Sequence, residues 1–188
     1  MDEPDPLLRR LQRGDSAAFR ELYAREKSFL YGFLARLARD PDVAADLFQN
    51  VWLKLAKHAS ALRPDSNVRA WLHTVARHEY VSFRRAQALD LSRLLLLGLQ
   101  TPTAPGDSAL DAQLLALKLA CDRLSDADRE VLLLSSTEGL DSDAVAEVLG
   151  ISNAALRQRL VRARRRLGSL LDADDEPAAP AALRKGNG

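Results

Sequence analysis

The sequence predicts an all-α protein of two small helical domains joined by a flexible linker, the second domain containing a helix-turn-helix. Three observations carry this. Leu, Ala and Arg dominate the chain and no stretch alternates with period two, so helices are expected throughout and strands are not. The stretch ALDLSRLLLLGLQTPTAPGDSAL, between about 87 and 109, places Pro102, Pro105 and Gly106 where no helix can continue. Further on, SDAVAEVLGISNAALRQRL sets a small residue, Ala146, one helical turn before Gly150, with Val145, Leu149, Ile151 and Leu156 as apolar contacts between two helices.

The first domain, 1–87, opens its main helix at Gly14-Asp15-Ser16, a turn followed by a cap. Phe19, Leu22, Tyr23, Leu30, Phe33, Leu34 and Leu37 then follow at helical spacing until Asp40-Pro41. A second helix, from about Val43 to Lys57, gathers Leu47, Phe48, Val51, Trp52 and Leu55 on one side when advanced by about 100° per residue. Asp46, Gln49, Asn50 and Leu53 share the opposite side. A third, from about Val68 to Ala86, buries Leu72, Val75, Ala76 and Phe83, with Trp71 at the edge of that arc. Arg69, His73, Arg77, Tyr80 and Arg84 fall together on another arc, a basic stripe containing an aromatic.

A linker follows at 88–109 and the second domain at 110–171. There Ser125 caps a helix running to about Thr137, Gly139 supplies its stop, Asp141 or Ser142 caps a short helix ending at Gly150, and Ser152 or Asn153 caps the last. The tail, 172–188, is polar and rich in Pro and Ala and is expected to be disordered.

Charge narrows the function classes. Twenty-seven Lys and Arg nearly cancel 26 Asp and Glu, so attraction to nucleic acid must come from local clustering. The last helix supplies it: RQRLVRARRR holds six arginines in ten residues while Leu156, Leu160, Ala163 and Leu167 keep a narrow apolar seam. Arg157, Gln158, Val161, Arg162 and Arg165 share its exposed arc. Arginine forks onto guanine or clamps phosphate and glutamine pairs with adenine, so this arc suits both reading and positioning of duplex DNA. The basic stripe of the first domain suits a backbone-tracking surface with a stacking platform, as used on opened strands.

A structural helical hairpin would share the turn pattern, and a stand-alone helix-turn-helix regulator would account for the second domain. Either leaves the first domain's basic helix and its Asp46–Gln49 face without a role. A helical adaptor binding a partner helix through Leu94 to Leu99 is a third reading. An enzyme is not expected: the sequence has no glycine-rich phosphate loop, no cluster of histidines and acids and no nucleophile elbow. Cys121, alone and set among Leu119, Ala120 and Leu124, reads as an inert buried thiol, and three scattered histidines offer no zinc spacing. Neither metal, cofactor nor small-molecule substrate is expected. The acidic, Pro-containing start is not a targeting signal and no apolar run approaches the roughly 20 residues of a membrane span, so a cytoplasmic protein without membrane insertion is expected.

Taken together, ADLFQNVWLKL, VRAWLHTVARHEYVSFRRA and LSDADREVLLLSSTEGLDSDAVAEVLGISNAALRQRLVRARRRL resemble three ordered blocks of the extracytoplasmic-function (ECF) sigma factors, over about residues 7 to 171. The resemblance implies a first domain that docks on core RNA polymerase and opens the promoter −10 element. It implies a second domain that reads the −35 element, an anti-sigma factor as a further partner, and a monomer when free. It places polymerase contacts at Asp46, Gln49, Asn50 and Leu53, and a base-capturing loop at Ser60 to Asn67. The melting surface falls on Asn67, Arg69, Trp71, His73, Arg77, His78, Tyr80 and Arg84. Contacts to the −35 element fall on Ser152, Asn153, Arg157, Gln158, Val161, Arg162 and Arg165. Ala45 and Asn50 stand where the family commonly carries acids, Val68 where it carries Phe, His78 where Asn is frequent and Gln158 where Ser is common. The promoter sequence therefore does not transfer from a relative.

Overall fold

The computed structural model describes residues 6–63, 65–96, 112–137 and 139–175, and among them every regular element is helical. Helices α1 (Pro6–Gln12), α2 (Ser16–Ala38), α3 (Pro41–His58) and α4 (Val68–Leu96) form the first domain, with a short 3-10 turn at Ala59–Ala61. The second comprises α5 (Ala112–Arg123), α6 (Asp126–Ser135), α7 (Ser142–Leu149) and α8 (Asn153–Asp175).

Local chemistry sets the boundaries. The Asp15 carboxylate accepts from the amides of Ala17 and Ala18 to start α2. Arg39, in the left-handed region at φ 61°, ends it by returning its amide to the Ala35 carbonyl. Asp40 caps α3 and Pro41 occupies the first turn, where a missing N–H costs nothing. Asn67 caps α4 through the Ala70 amide at 3.1 Å. In α6 the Ser125 hydroxyl accepts from the Asp128 amide and donates to the Asp128 carboxylate, a reciprocal cap. Asp141 caps α7, and Gly150 ends it at φ 64°, a conformation that favours glycine.

Two expectations are corrected and one helix is added. Helix α4 does not end at Ala86 but reaches Leu96, because nothing in ALDLSRLLL breaks a helix and the first proline comes only at 102; the expected linker is shortened from its N-terminal side. Helix α8 runs past Leu171 to Asp175, into the segment assigned to the tail. Helix α1, ahead of the Gly14-Asp15-Ser16 turn where the sequence reading assigns no element, buries Leu7, Leu8 and Leu11 against the first domain. The expected breakers Pro102, Pro105 and Gly106 and residues 176–188 of the tail lie outside the described residues.

The core of the first domain is Leu22, Leu30, Phe33, Leu34 and Leu37 of α2, Leu47, Val51 and Leu55 of α3, and Val68, Leu72 and Ala76 of α4. Each fully buried Leu contributes about 2 kcal/mol by leaving water. In the second domain Val131 and Leu134 of α6, Val145, Ala146 and Leu149 of α7, and Leu156 and Ala163 of α8 close the helix-turn-helix. The two cores touch, since α2 packs on α6 and α4 on α7, so one buried cluster spans both domains.

Candidate nucleic-acid interface

Helix α8 is packed into the second domain along its apolar seam. Its other side is left to solvent. Arg157, Gln158, Val161 and Arg162 are exposed or partly so and together line one shallow surface depression, with Arg165 exposed beside them. Val161 is 57% exposed, unusual for a β-branched apolar side chain and suited to a thymine methyl. The turn holds this face out. The Ser152 hydroxyl accepts from the Ala155 amide, and Asn153, half-buried, donates to Asp143 on α7, bracing the two helices. Ser152 and Asn153 therefore shape the start of α8, while the four residues of the depression form its open face. Arg166, on the flank, is drawn back to Asp128 of α6.

Helix α3 behaves as its periodicity predicts. Leu47, Val51, Trp52 and Leu55 are buried, whereas Gln49, Asn50 and Leu53 are exposed, Leu53 at 58%, with Asp46 beside them. Phe48 and Trp52 join Phe19, Tyr23 and Tyr31 in an aromatic cluster between α2 and α3, its rings mostly edge to face, which stiffens the platform behind that surface.

The stripe on α4 is placed differently from the exposed arc that the wheel suggests. His78 is exposed, and Trp71 is half-buried. His73, however, is 1% exposed and Tyr80 5%. Arg69 is half-buried and forks onto Glu26 of α2, Nε donating to Oε2 at 2.7 Å and Nη2 to Oε1 at 3.0 Å, with its guanidinium over the Phe29 ring. Arg77 pairs with Glu130 at 2.9 Å and Arg84 with Asp126 at 3.4 Å, both on α6. The physical reason is long-range packing: α2 and the second domain lie against this side of α4, which a wheel drawn for one helix cannot register.

The His73 ring sits 5.1 Å from the Phe33 ring, with Nδ1 2.9 Å from the Arg69 carbonyl and Nε2 without a hydrogen-bond partner among the described residues. Burial holds its pKa below 6.5, against the Arg69 carbonyl and the Glu26 charge, which favour the protonated ring. The folded state thus binds this proton less readily than the unfolded chain. Its stabilising contribution is full above about pH 6.5 and is lost as pH falls through the lower folded value. Glu130 runs the other way, because burial raises its carboxyl above the ordinary range despite Arg77, so protonation there favours the folded state. We expect the melting temperature to fall by a few degrees between about pH 7 and pH 5, and less in His73→Phe; equal slopes would remove His73 as the cause. Cys121, read as buried, is only half-buried, with its neighbour Leu119 50% exposed; burial and the Asp122 charge raise its pKa.

These two surfaces belong to a known pair of modules. Residues 22–89 match Sigma-70 region 2 and residues 114–167 match Sigma-70, region 4. The ECF RNA polymerase sigma factor SigK of Mycobacterium sp. (strain KMS) is 30% identical over 162 residues, covering 83% of this chain and 84% of that protein. The chain is an ECF sigma factor. RNA polymerase sigma factor CnrH of Cupriavidus metallidurans is 32% identical over 182 residues, covering 87% and 91%. Two solved structures share the fold. The sigma factor RpoE in complex with the anti-sigma factor NepR, from Bartonella quintana, has a TM-score of 0.71 at 28% identity, over 83% of this chain and 98% of that one. CnrH in complex with the cytosolic domain of CnrY has a TM-score of 0.68 at 26% identity, over 92% and 99%. In the sigma factor, the first domain is therefore region 2 and the second region 4, and no described helix is long and apolar enough to cross a membrane.

Proposed function

We propose that this sigma factor binds core RNA polymerase through Asp46, Gln49, Asn50 and Leu53, opens the −10 element over α4, and reads the −35 element as duplex with α8. The observation that carries the reading is the open face of α8, where Arg157, Gln158, Val161 and Arg162 meet in one depression at the outer helix of a helix-turn-helix. Arg157 and Arg162 supply bidentate donors for guanine or phosphate, Gln158 suits adenine and Val161 suits a thymine methyl. The loop from Ser60 to Asn67 would take a flipped base. Extruding one costs a few kcal/mol, which stacking and a pocket must offset.

An anti-sigma factor is the further partner this reading includes, supported by the two similar sigma factors whose structures are anti-sigma complexes. The division of labour is testable. Asp46 lies on the outer side of α3, away from its buried face, so Asp46→Ala should weaken binding to core polymerase several-fold while an isolated −35 duplex is bound as before. Pull-down with core enzyme and a duplex-binding titration measure the two; equal losses in both would point to misfolding and sink the assignment.

A further inference from the structure

One acid of region 4 holds an arginine at the edge of the open face of α8. Asp128 is the third residue of α6, one turn after the Ser125 cap, where a carboxylate faces the amide end of the helix. Its Oδ2 accepts from the Ser125 hydroxyl at 2.8 Å and from Nη1 of Arg166 on α8. The carboxylate is nearly covered, its side chain 12% exposed, whereas that of Arg166 is 62% exposed. Burial acts to raise the Asp128 carboxyl, but the hydrogen bonds from Arg166 and Ser125 outweigh it, so its pKa lies below the ordinary value. The neighbouring Arg129 donates to the Cys121 and Leu124 carbonyls and pairs with Asp126, which fixes the turn that presents Asp128.

Arg166 borders the arc that suits DNA. Advanced by about 100° per residue, it falls about 40° beyond Arg162, one turn further along α8. Arg162 lies on the open face and acts on the same carboxylate through space. Among the described residues Arg157, Arg162 and Arg165 form no ion pair, so Arg166 is held back while the arginines beside it are left to solvent.

We propose that Asp128 withholds Arg166 from the phosphates of bound duplex and so limits the sequence-independent share of the affinity of region 4 for DNA. This rests on the reading of α8 as the duplex-binding helix. Moving Arg166 to a phosphate would strip a mostly covered carboxylate of its cation, and breaking a buried pair costs more than breaking an exposed one. The exchange is therefore disfavoured although the guanidinium itself is exposed. Once position 128 loses its charge, phosphate becomes the stronger acceptor. A phosphate contact carries no sequence information, so gaining one would tighten binding to any duplex. Withholding it leaves base contacts a larger part of the total, which matters where wrong sites far outnumber right ones.

The test is a double-mutant cycle on the full chain, with wild type, Asp128→Asn, Arg166→Gln and the two combined. Each is titrated by anisotropy against a labelled duplex of mixed sequence between about 50 and 200 mM salt. Asp128→Asn should bind several-fold more tightly at the low end, with a salt slope steeper by about one unit, the mark of one added phosphate. Arg166→Gln alone should leave the slope as in wild type, and in the double variant it should cancel the gain. Circular dichroism and melting check that Asp128→Asn keeps the fold; the Arg166→Gln arm stands by itself, because it replaces an exposed side chain. A gain that survives Arg166→Gln would mean that Asp128 acts only by repelling phosphates. A shallower slope in Arg166→Gln alone would mean that Arg166 already sits on one. Either result overturns the proposal, as does an unchanged slope in folded Asp128→Asn. Arg157→Ala with Arg162→Ala, titrated alongside, separates this from the underlying reading. Lost affinity there beside a flat cycle sinks the hold on Arg166 alone, whereas unchanged binding removes α8 as the duplex-binding helix and the proposal with it.

Discussion

Replacing Glu26 with alanine is expected to lower the stability of the sigma factor by about 3 kcal/mol, the largest loss for any single polar side chain in region 2. Glu26 is 1% exposed, lies on the same face of α2 as Leu22 and Leu30, and receives Arg25 as well as both arms of Arg69. Its removal takes from the half-buried Arg69 guanidinium the two oxygens it forks onto, and breaking a buried pair by deleting one partner costs more than the pair contributes. The companion experiment is Glu26→Leu with Arg69→Leu, which should recover most of the loss because two apolar side chains fill the site and both charges of the pair are removed together. Urea unfolding of both variants beside the wild type measures this. A loss below about 1 kcal/mol in Glu26→Ala would mean that Arg69 swings to solvent and that the pair is incidental.

The second large effect falls on recognition. Arg157→Ala with Arg162→Ala should reduce initiation at a specific promoter by about 30-fold or more, since each bidentate pairing with a base is worth about 1–3 kcal/mol. Binding to core polymerase should be unchanged, because both side chains lie on the open face of α8 and not on α3. The salt dependence of duplex binding should also become shallower, by about one unit of slope for each of the two arginines that sits on a phosphate. Lost docking in the double variant would refute the separation of reading from polymerase binding.

Much of this was legible in the residues. Caps at Asp15, Ser125 and Asp141, the last one of two candidates beside Ser142, follow from side chains that accept amides locally and are found where the sequence puts them, whereas Asp40, read only as the end of α2, also caps α3. The outer quartet on α3 and the arc on α8 follow from period alone, because both faces turn away from the packing of the described helices. The partners of the α4 stripe were not legible, since Glu26 precedes Arg69 by 43 residues and Glu130 follows Arg77 by 53, and a single-helix wheel carries no information at that range. One signal could have found part of it: an acid at 26, midway between Leu22 and Leu30 at helical spacing, is a buried charge in search of a cation. The extension of α4 to Leu96 was hidden by reading the leucine run as linker, although those residues favour helix and the breakers come later.

The most direct measurement is in vitro transcription with purified bacterial core polymerase, with and without the sigma factor, on a pooled promoter library at defined low salt. The account predicts discrete start sites that appear only when the protein is present, lost with Arg157→Ala and Arg162→Ala together. No start sites and no complex with core enzyme would contradict it.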